Sequence, residues 1–166
     1  MGNFFTDVIS KDPRFTSTAR IADIKLLEPA TNSRVQAIIS SAYTMGIPLI
    51  VFETFRSRER QQLLYQQGVT RLKEVGVHFY GLACDIVRSV NGEPSWKGDW
   101  SFLGELAQAN GMIWGGNWGQ PGIPHKFVDS VHVQRCTVND QPSLFSSLWY
   151  PDASYNPYEG DEEVVA

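Results

Sequence analysis

Histidine is scarce in this 166-residue chain, with three copies, and cysteine scarcer still, with two. Two cysteines allow at most one disulfide, which excludes a small scaffold held together by cross-links. If strands run regularly, Cys84 and Cys136 point to opposite sides of a sheet and remain free thiols, and Cys84 reads as a small buried hydrophobe rather than a nucleophile. Positive charge is also in short supply, since 14 Lys and Arg stand against 18 Asp and Glu for a formal charge of −4. With no basic cluster to track a phosphate backbone, nucleic acid is not an expected partner. Nowhere do about 18 apolar residues occur together, so membrane insertion is not expected. Residues 1–11 lack the basic start and apolar run of a standard signal peptide, and synthesis in the cytoplasm is the corresponding expectation. The glycine-rich stretch Gly115 to Gly122 has neither G-x-G-x-x-G nor Walker spacing, which argues against a nucleotide loop. No internal repeat is visible.

What the chain does have is enough apolar residue, 42% of the total, for one globular core. Thr31-Asn32 can cap a helix whose Val35, Ile38, Ile39 and Ala42 share a face before Gly46 ends it. Pro48 to Phe55 reads as a strand that sets Arg56 at its exit. Ser57 caps a second helix through Leu64 and Tyr65, stopped by Gly68. Asn91-Gly92 is a hairpin turn pair, Asp99 or Ser101 caps a third helix, and Met112 to Trp114 is a short strand. Helices set apart from a small antiparallel sheet make an α+β domain.

The chemistry concentrates in two segments, residues 76–86 and 129–134, which hold two imidazoles and two carboxylates. That ligand supply suits zinc or a similar divalent ion better than calcium or magnesium. Three of the groups would hold the metal and the fourth would work beside it. His78 and Asp85 are seven apart, which on a continuous helix would separate them by roughly 10 Å, so a bend is required, and Gly81 is the residue able to make it. Leu82 to Val87 then reads as a buried strand that delivers Asp85, with His132 on a second strand. Residues three apart in a flat strand face opposite ways. Asp129 therefore precedes the strand, in a turn, where it can take a proton from metal-activated water attacking a carbonyl and pass it to the leaving amine.

These residues carry a resemblance. His78-Phe79-Tyr80-Gly81-Leu82-Ala83-Cys84-Asp85, followed by Asp129-Ser130-Val131-His132, resembles the zinc peptidases of the D-Ala-D-Ala carboxypeptidase and VanX/VanY group. Trp114-Gly115-Gly116-Asn117-Trp118 is similar to the Trp-Gly-Gly-Asp-Trp box of its L-alanyl-D-glutamate endopeptidase branch, which includes phage endolysins. Thr54-Phe55-Arg56-Ser57 with Gln61 and Leu64-Tyr65 resembles the group's Tyr-Arg-Ser segment and following helix. The resemblance runs from about Ile21 to Gln134.

It implies a zinc-dependent peptidoglycan hydrolase with His78, Asp85 and His132 as ligands, Asp129 as general base, and Arg56 as the cation that binds the scissile carbonyl. Without it, Arg56 reads as a surface charge. Substrate contacts are expected at Arg56, Gln61, Tyr80, Trp114 and Trp118, although packing under the glycine loop is an equal reading for the two tryptophans. An exposed helix position is the plainer reading of Gln61. His125 reads as a loop histidine. Gly76 and Asn117 depart from the group, which often has Ser and Asp there.

The expected bond is L-Ala–D-Glu of the stem peptide. A D,D- or L,D-carboxypeptidase is the alternative, and a non-catalytic peptidoglycan-binding or phage structural module the third reading. The division expected is a peptidase domain over residues 1–136 and a C-terminal extension over 137–166, packed at first and ending in an acidic tail. The protein is expected to be a monomer that reaches the wall through a holin or cell lysis.

Overall fold

A computed structural model describes residues 2–70, 72–117 and 128–159. The helices are α1 (Phe4–Asp7), α2 (Pro29–Thr44), α3 (Arg58–Gln66), α4 (Ser101–Ala109) and α5 (Gln141–Phe145). The strands are β1 (Leu49–Glu53), β2 (Ala83–Val90), β3 (Glu93–Ser95), β4 (Ile113–Trp114) and β5 (His132–Gln134), in the sheet order β1-β2-β5-β4, with β3 returning along β2 as a hairpin. Every strand pair is antiparallel, so the fold is α+β as the patterning implied. No helix among the described residues is long and apolar enough to cross a membrane.

Local signals explain most elements. Ser57 caps α3 by accepting from the Arg60 N–H, and Asn91 and Gly92 both take the positive φ of a tight hairpin turn. Helix α2 starts earlier than Thr31-Asn32 suggested. Pro29 supplies the preset φ of a first helical turn, and Glu28 caps it by accepting from the Ala30 and Thr31 N–H groups.

Two apolar clusters flank the sheet. One joins α2 and α4 to it through Val35, Ile38, Ile86, Leu103, Met112 and Val133. The other is aromatic, built on Phe55, Phe79, Tyr80, Leu82 and Leu144, with Phe5 and Phe15 from the N-terminal segment packed against it. Cys84 lies in the first cluster and Cys136 in the second, both as free thiols. Burial pushes the Cys84 thiol well up, helped by the charges of Asp85 and Glu53, and Cys136 rises to about 12, also chiefly through burial.

A buried ion pair ties the ends of this structure together. Arg135, fully buried, donates to Glu28 Oε1 at 2.7 Å and to Thr31 Oγ1 at 3.2 Å. Its other amino group donates to the carbonyls of Asp152 and Tyr155. The Glu28 N–H meanwhile donates to the Gly81 carbonyl at 2.9 Å. The start of α2, the bend at Gly81, the end of β5 and the C-terminal segment thus share one charged node.

Arg135→Met leaves the Glu28 carboxylate without its cation and should cost about 3–5 kcal/mol at neutral pH. Burial opposes the charged form of Glu28, but Arg135 and the capping N–H groups win and hold its pKa below the ordinary 4.5. A carboxylate lowered on folding stabilises above its unfolded value and loses that contribution as pH falls through its folded one. The gap in Tm between wild type and Arg135→Met should therefore narrow below about pH 4.5. A gap of constant size down to pH 3 would remove Glu28 from the account.

Candidate metal centre

Gly76 opens a single 3-10 turn, Val77–Tyr80, closed by Gly81 at φ 73°. That conformation suits glycine, and the surroundings demand it as well. A Cβ at Gly81 would fall 2.5 Å from Ile9 Cδ1 and 2.9 Å from the Leu26 carbonyl. The bend brings His78 beside β2, where Asp85 stands directly opposite His132 of β5. The three residues are buried, and their ligand atoms lie within 4.8 Å of one another.

Hydrogen bonds on the far side of each ring fix which nitrogen faces inward. His78 Nδ1 lies 2.7 Å from the Thr54 carbonyl. A carbonyl only accepts, so Nδ1 carries the proton and Nε2 turns its lone pair toward Asp85 Oδ1, 3.2 Å away. His132 Nε2 lies 2.8 Å from Gln134 Oε1. The Gln134 amide nitrogen donates to the Cys136 carbonyl and to Gln141, which leaves its oxygen to accept from the ring. His132 therefore presents Nδ1, 3.1 Å from the same Asp85 oxygen.

Two ring lone pairs and one carboxylate oxygen thus converge with no hydrogen of their own between them. Such a cluster repels itself unless a cation or extra protons enter. Burial acts against a charged His132, yet the hydrogen bond and charge of Asp85 move its pKa upward. Asp85 is likewise held well below the carboxylate range, burial being outweighed by the two histidines. A divalent ion would take the place of those protons, and two nitrogens with one oxygen are a donor set that fits zinc-like coordination with an open position.

Asp129 sits in the turn before β5, as its spacing from His132 required. Its N–H donates to the Gly115 carbonyl at 3.1 Å, and its own carbonyl accepts from His132 N–H at 3.3 Å. Burial and the Asp85 charge raise its pKa, against the pull of His132, His78 and Arg56. The glycine box is the seat of this turn. A Cβ on Gly115 would meet the Asp129 carbonyl oxygen at 2.4 Å, and one on Gly116 would overlap the Trp114 ring.

Arg56 leaves the end of β1 as a nearly buried cation. One amino group, Nη2, donates to Glu53 Oε1 at 2.9 Å and to Asp85 Oδ2 at 3.4 Å, and Nη1 donates to Gln61 Oε1 at 3.3 Å. Its Nε–H is buried and has no partner among the described residues. Gln61, read from sequence as an exposed helix position or a substrate contact, is buried, and its amide nitrogen donates to Thr70 Oγ1 and the Leu72 carbonyl. Gly76 stands beside it, with an added Cβ only 3.3 Å from Gln61 Oε1.

One cavity of about 670 Å³ takes in His78, Asp85, His132, Asp129, Arg56 and Gln61, with Phe52, Leu64, Trp96 and Trp100 among its apolar walls. Tyr80 is elsewhere. Its ring packs among Phe5, Phe79 and Phe145 in the aromatic cluster. Trp114 also lies off this cavity, where its Nε1–H donates to the Ser130 carbonyl and its ring covers Gly104. Trp118 and His125 fall outside the described residues. Sequence reasoning assigned no role to Glu53, Thr54 or Gln134. Gln134 carried a signal, because a residue two beyond His132 in a strand shares its face.

Residues 71–135 match the family model described as D-alanyl-D-alanine carboxypeptidase. The chain is 28% identical over 127 residues to the peptidoglycan L-alanyl-D-glutamate endopeptidase CwlK of Bacillus subtilis, a match spanning 65% of this chain and 72% of that protein. It is 25% identical over 118 residues to the L-alanyl-D-glutamate peptidase of Listeria phage A118, across 69% of this chain and 40% of the phage protein. Its fold is similar to that of the L-Ala D-Glu endopeptidase ChiX of Serratia marcescens, with a TM-score of 0.54 at 22% identity, over 76% of this chain and 96% of that one.

If the three residues are ligands, His132→Ala should lose tight metal binding, read as metal retained after dialysis against a chelator. Gln134→Leu should keep the site but weaken it about 10–100-fold, since it frees the His132 ring to turn. Full metal retention in His132→Ala would sink the assignment.

Proposed function

We propose that this chain, a metallopeptidase related to the D-alanyl-D-alanine carboxypeptidase family, hydrolyses peptidoglycan at a stem-peptide amide, the bond between L-Ala and D-Glu, with zinc as its metal. One observation carries the reading: the inward-facing nitrogens of His78 and His132 and an oxygen of Asp85 meet in a cavity that also holds Asp129. The choice of bond rests on the activity for which both sequence relatives are named.

Zinc held by His78, Asp85 and His132 would lower the pKa of water to about 7 and polarise the scissile carbonyl. The remaining work falls to side chains of the chain itself. Asp129 accepts the proton as water adds to the carbonyl carbon, then returns it to the leaving nitrogen as the C–N bond breaks. Its raised pKa suits a carboxylate that must hold a proton between those two events. Arg56, which lines the cavity, offers a fixed positive charge to the carbonyl oxygen as that oxygen becomes negative. The apolar walls limit water, which strengthens both effects.

Three ligands among the described residues argue for a working site, since a structural zinc site enlists a fourth.

Mass spectrometry of peptidoglycan digests tests the reading. Released peptides should carry new N-terminal D-Glu, disappear with a chelator and return with added zinc. Loss of terminal D-Ala alone would transfer the chain to the carboxypeptidases. Asp129→Asn should keep its zinc and lose roughly 10²–10⁴-fold in turnover; turnover at the wild-type rate would remove Asp129 as the base.

A further inference from the structure

Glu53 is a buried carboxylate that the proposed chemistry leaves without a task. It ends β1 just past a register shift, paired in the sheet with Asp85, so that two acidic side chains face the same guanidinium. Both of its oxygens are occupied. Oε1 accepts from Arg56 Nη2 at 2.9 Å, and Oε2 accepts from Arg60 Nε at 2.5 Å. Arg60 is anchored in turn to the Thr18 carbonyl, and Ser57 between the two arginines donates to the Ser17 carbonyl.

Arg56 Nη2 divides its donors between Glu53 and Asp85. The consequence lies on Asp85, whose two oxygens are kept apart in role. Oδ2 meets the guanidinium at 3.4 Å, while Oδ1 faces His78 Nε2 and His132 Nδ1 at 3.2 and 3.1 Å. Without Glu53, only Gln61 on Nη1 still restrains the guanidinium among the described residues, and Nη2 can close on Asp85 in the two-pronged geometry that arginine and carboxylate prefer. That geometry would draw Oδ1 away from the histidines.

We propose that Glu53 is a positioning residue: by holding the Arg56 guanidinium between two carboxylates, it decides which oxygen of Asp85 is left for the metal. The inference rests on the metal site described above and deepens the proposed function. It also gives Arg56 a task before substrate arrives, since the cation that meets the substrate oxygen orients a ligand as well.

Cobalt(II) in place of zinc reports on this directly, because its visible absorption follows ligand geometry. Glu53→Gln keeps shape but turns one acceptor oxygen into a donor nitrogen facing an arginine. The cobalt-loaded variant should show a shifted visible band, and competition with a chelating dye should reveal metal affinity about 10–100-fold weaker. Fully metal-loaded, it should have a lower kcat on stem peptide with KM close to wild type. A folded Glu53→Gln protein with the wild-type cobalt spectrum and affinity overturns the proposal. Should that variant fail to fold, Glu53→Asp decides the matter. It keeps the charge but cannot reach both arginines, so the same spectral shift is expected, and an unchanged spectrum overturns the proposal. Wild-type protein that binds cobalt yet cleaves no stem peptide would count against the proposed function alone, because the spectrum and affinity do not depend on the substrate.

Discussion

Two hydrogen bonds outside the His78–Asp85–His132 cluster determine what its inside can be. The Thr54 carbonyl takes the Nδ1 proton of His78, and the Gln134 amide oxygen takes the Nε2 proton of His132. Each leaves one nitrogen without hydrogen, and both of those nitrogens point at a single oxygen of Asp85. The two histidines use different ring atoms because they arrive differently, one from a 3-10 turn and the other along a strand. Turning either ring over would put an N–H into the centre and fill the place a cation needs.

Around that centre, buried charges are paired with opposite ones. Arg56 lies between Glu53 and Asp85, and Arg60 closes the far side of Glu53. The Glu28–Arg135 pair plays a parallel part at a distance, binding the bend at Gly81 to the end of β5. Single deletions within such networks are costly because the orphaned partner stays buried. The glycine box belongs to the same scheme. Gly115 lets the Asp129 turn approach, and Trp114 braces it from below by donating to Ser130. The positions of Asp85 and Asp129 are therefore set by groups well outside the His78–Asp85–His132 cluster.

Features that depend on short-range stereochemistry were legible in the sequence. The bend at Gly81, the cap at Ser57, the Asn91-Gly92 turn and the position of Asp129 ahead of its strand each follow from what a few neighbouring residues can do. Features that depend on distant partners were not. Glu28 is an unremarkable helix-starting residue until Arg135, 107 positions away, gives its carboxylate a reason to be buried. Nothing local distinguishes Trp114 beneath a turn from Trp114 on a cleft wall, or Tyr80 in an aromatic cluster from Tyr80 beside a substrate. Gln61 could be named as a helix residue, but its burial goes with Thr70 and Leu72, which accept from its amide. Glu53 escaped notice because a carboxylate at a strand end is commonplace until the arginines after it turn back toward it.

Which atoms would hold a metal is tested most directly by diffraction from crystals grown with zinc, recorded on both sides of the zinc absorption edge. A single anomalous peak bonded to His78 Nε2, Asp85 Oδ1 and His132 Nδ1, with His78 Nδ1 still on Thr54 and His132 Nε2 still on Gln134, is the predicted result. A peak bound through the opposite ring nitrogens, or one lying away from these three residues, would contradict it.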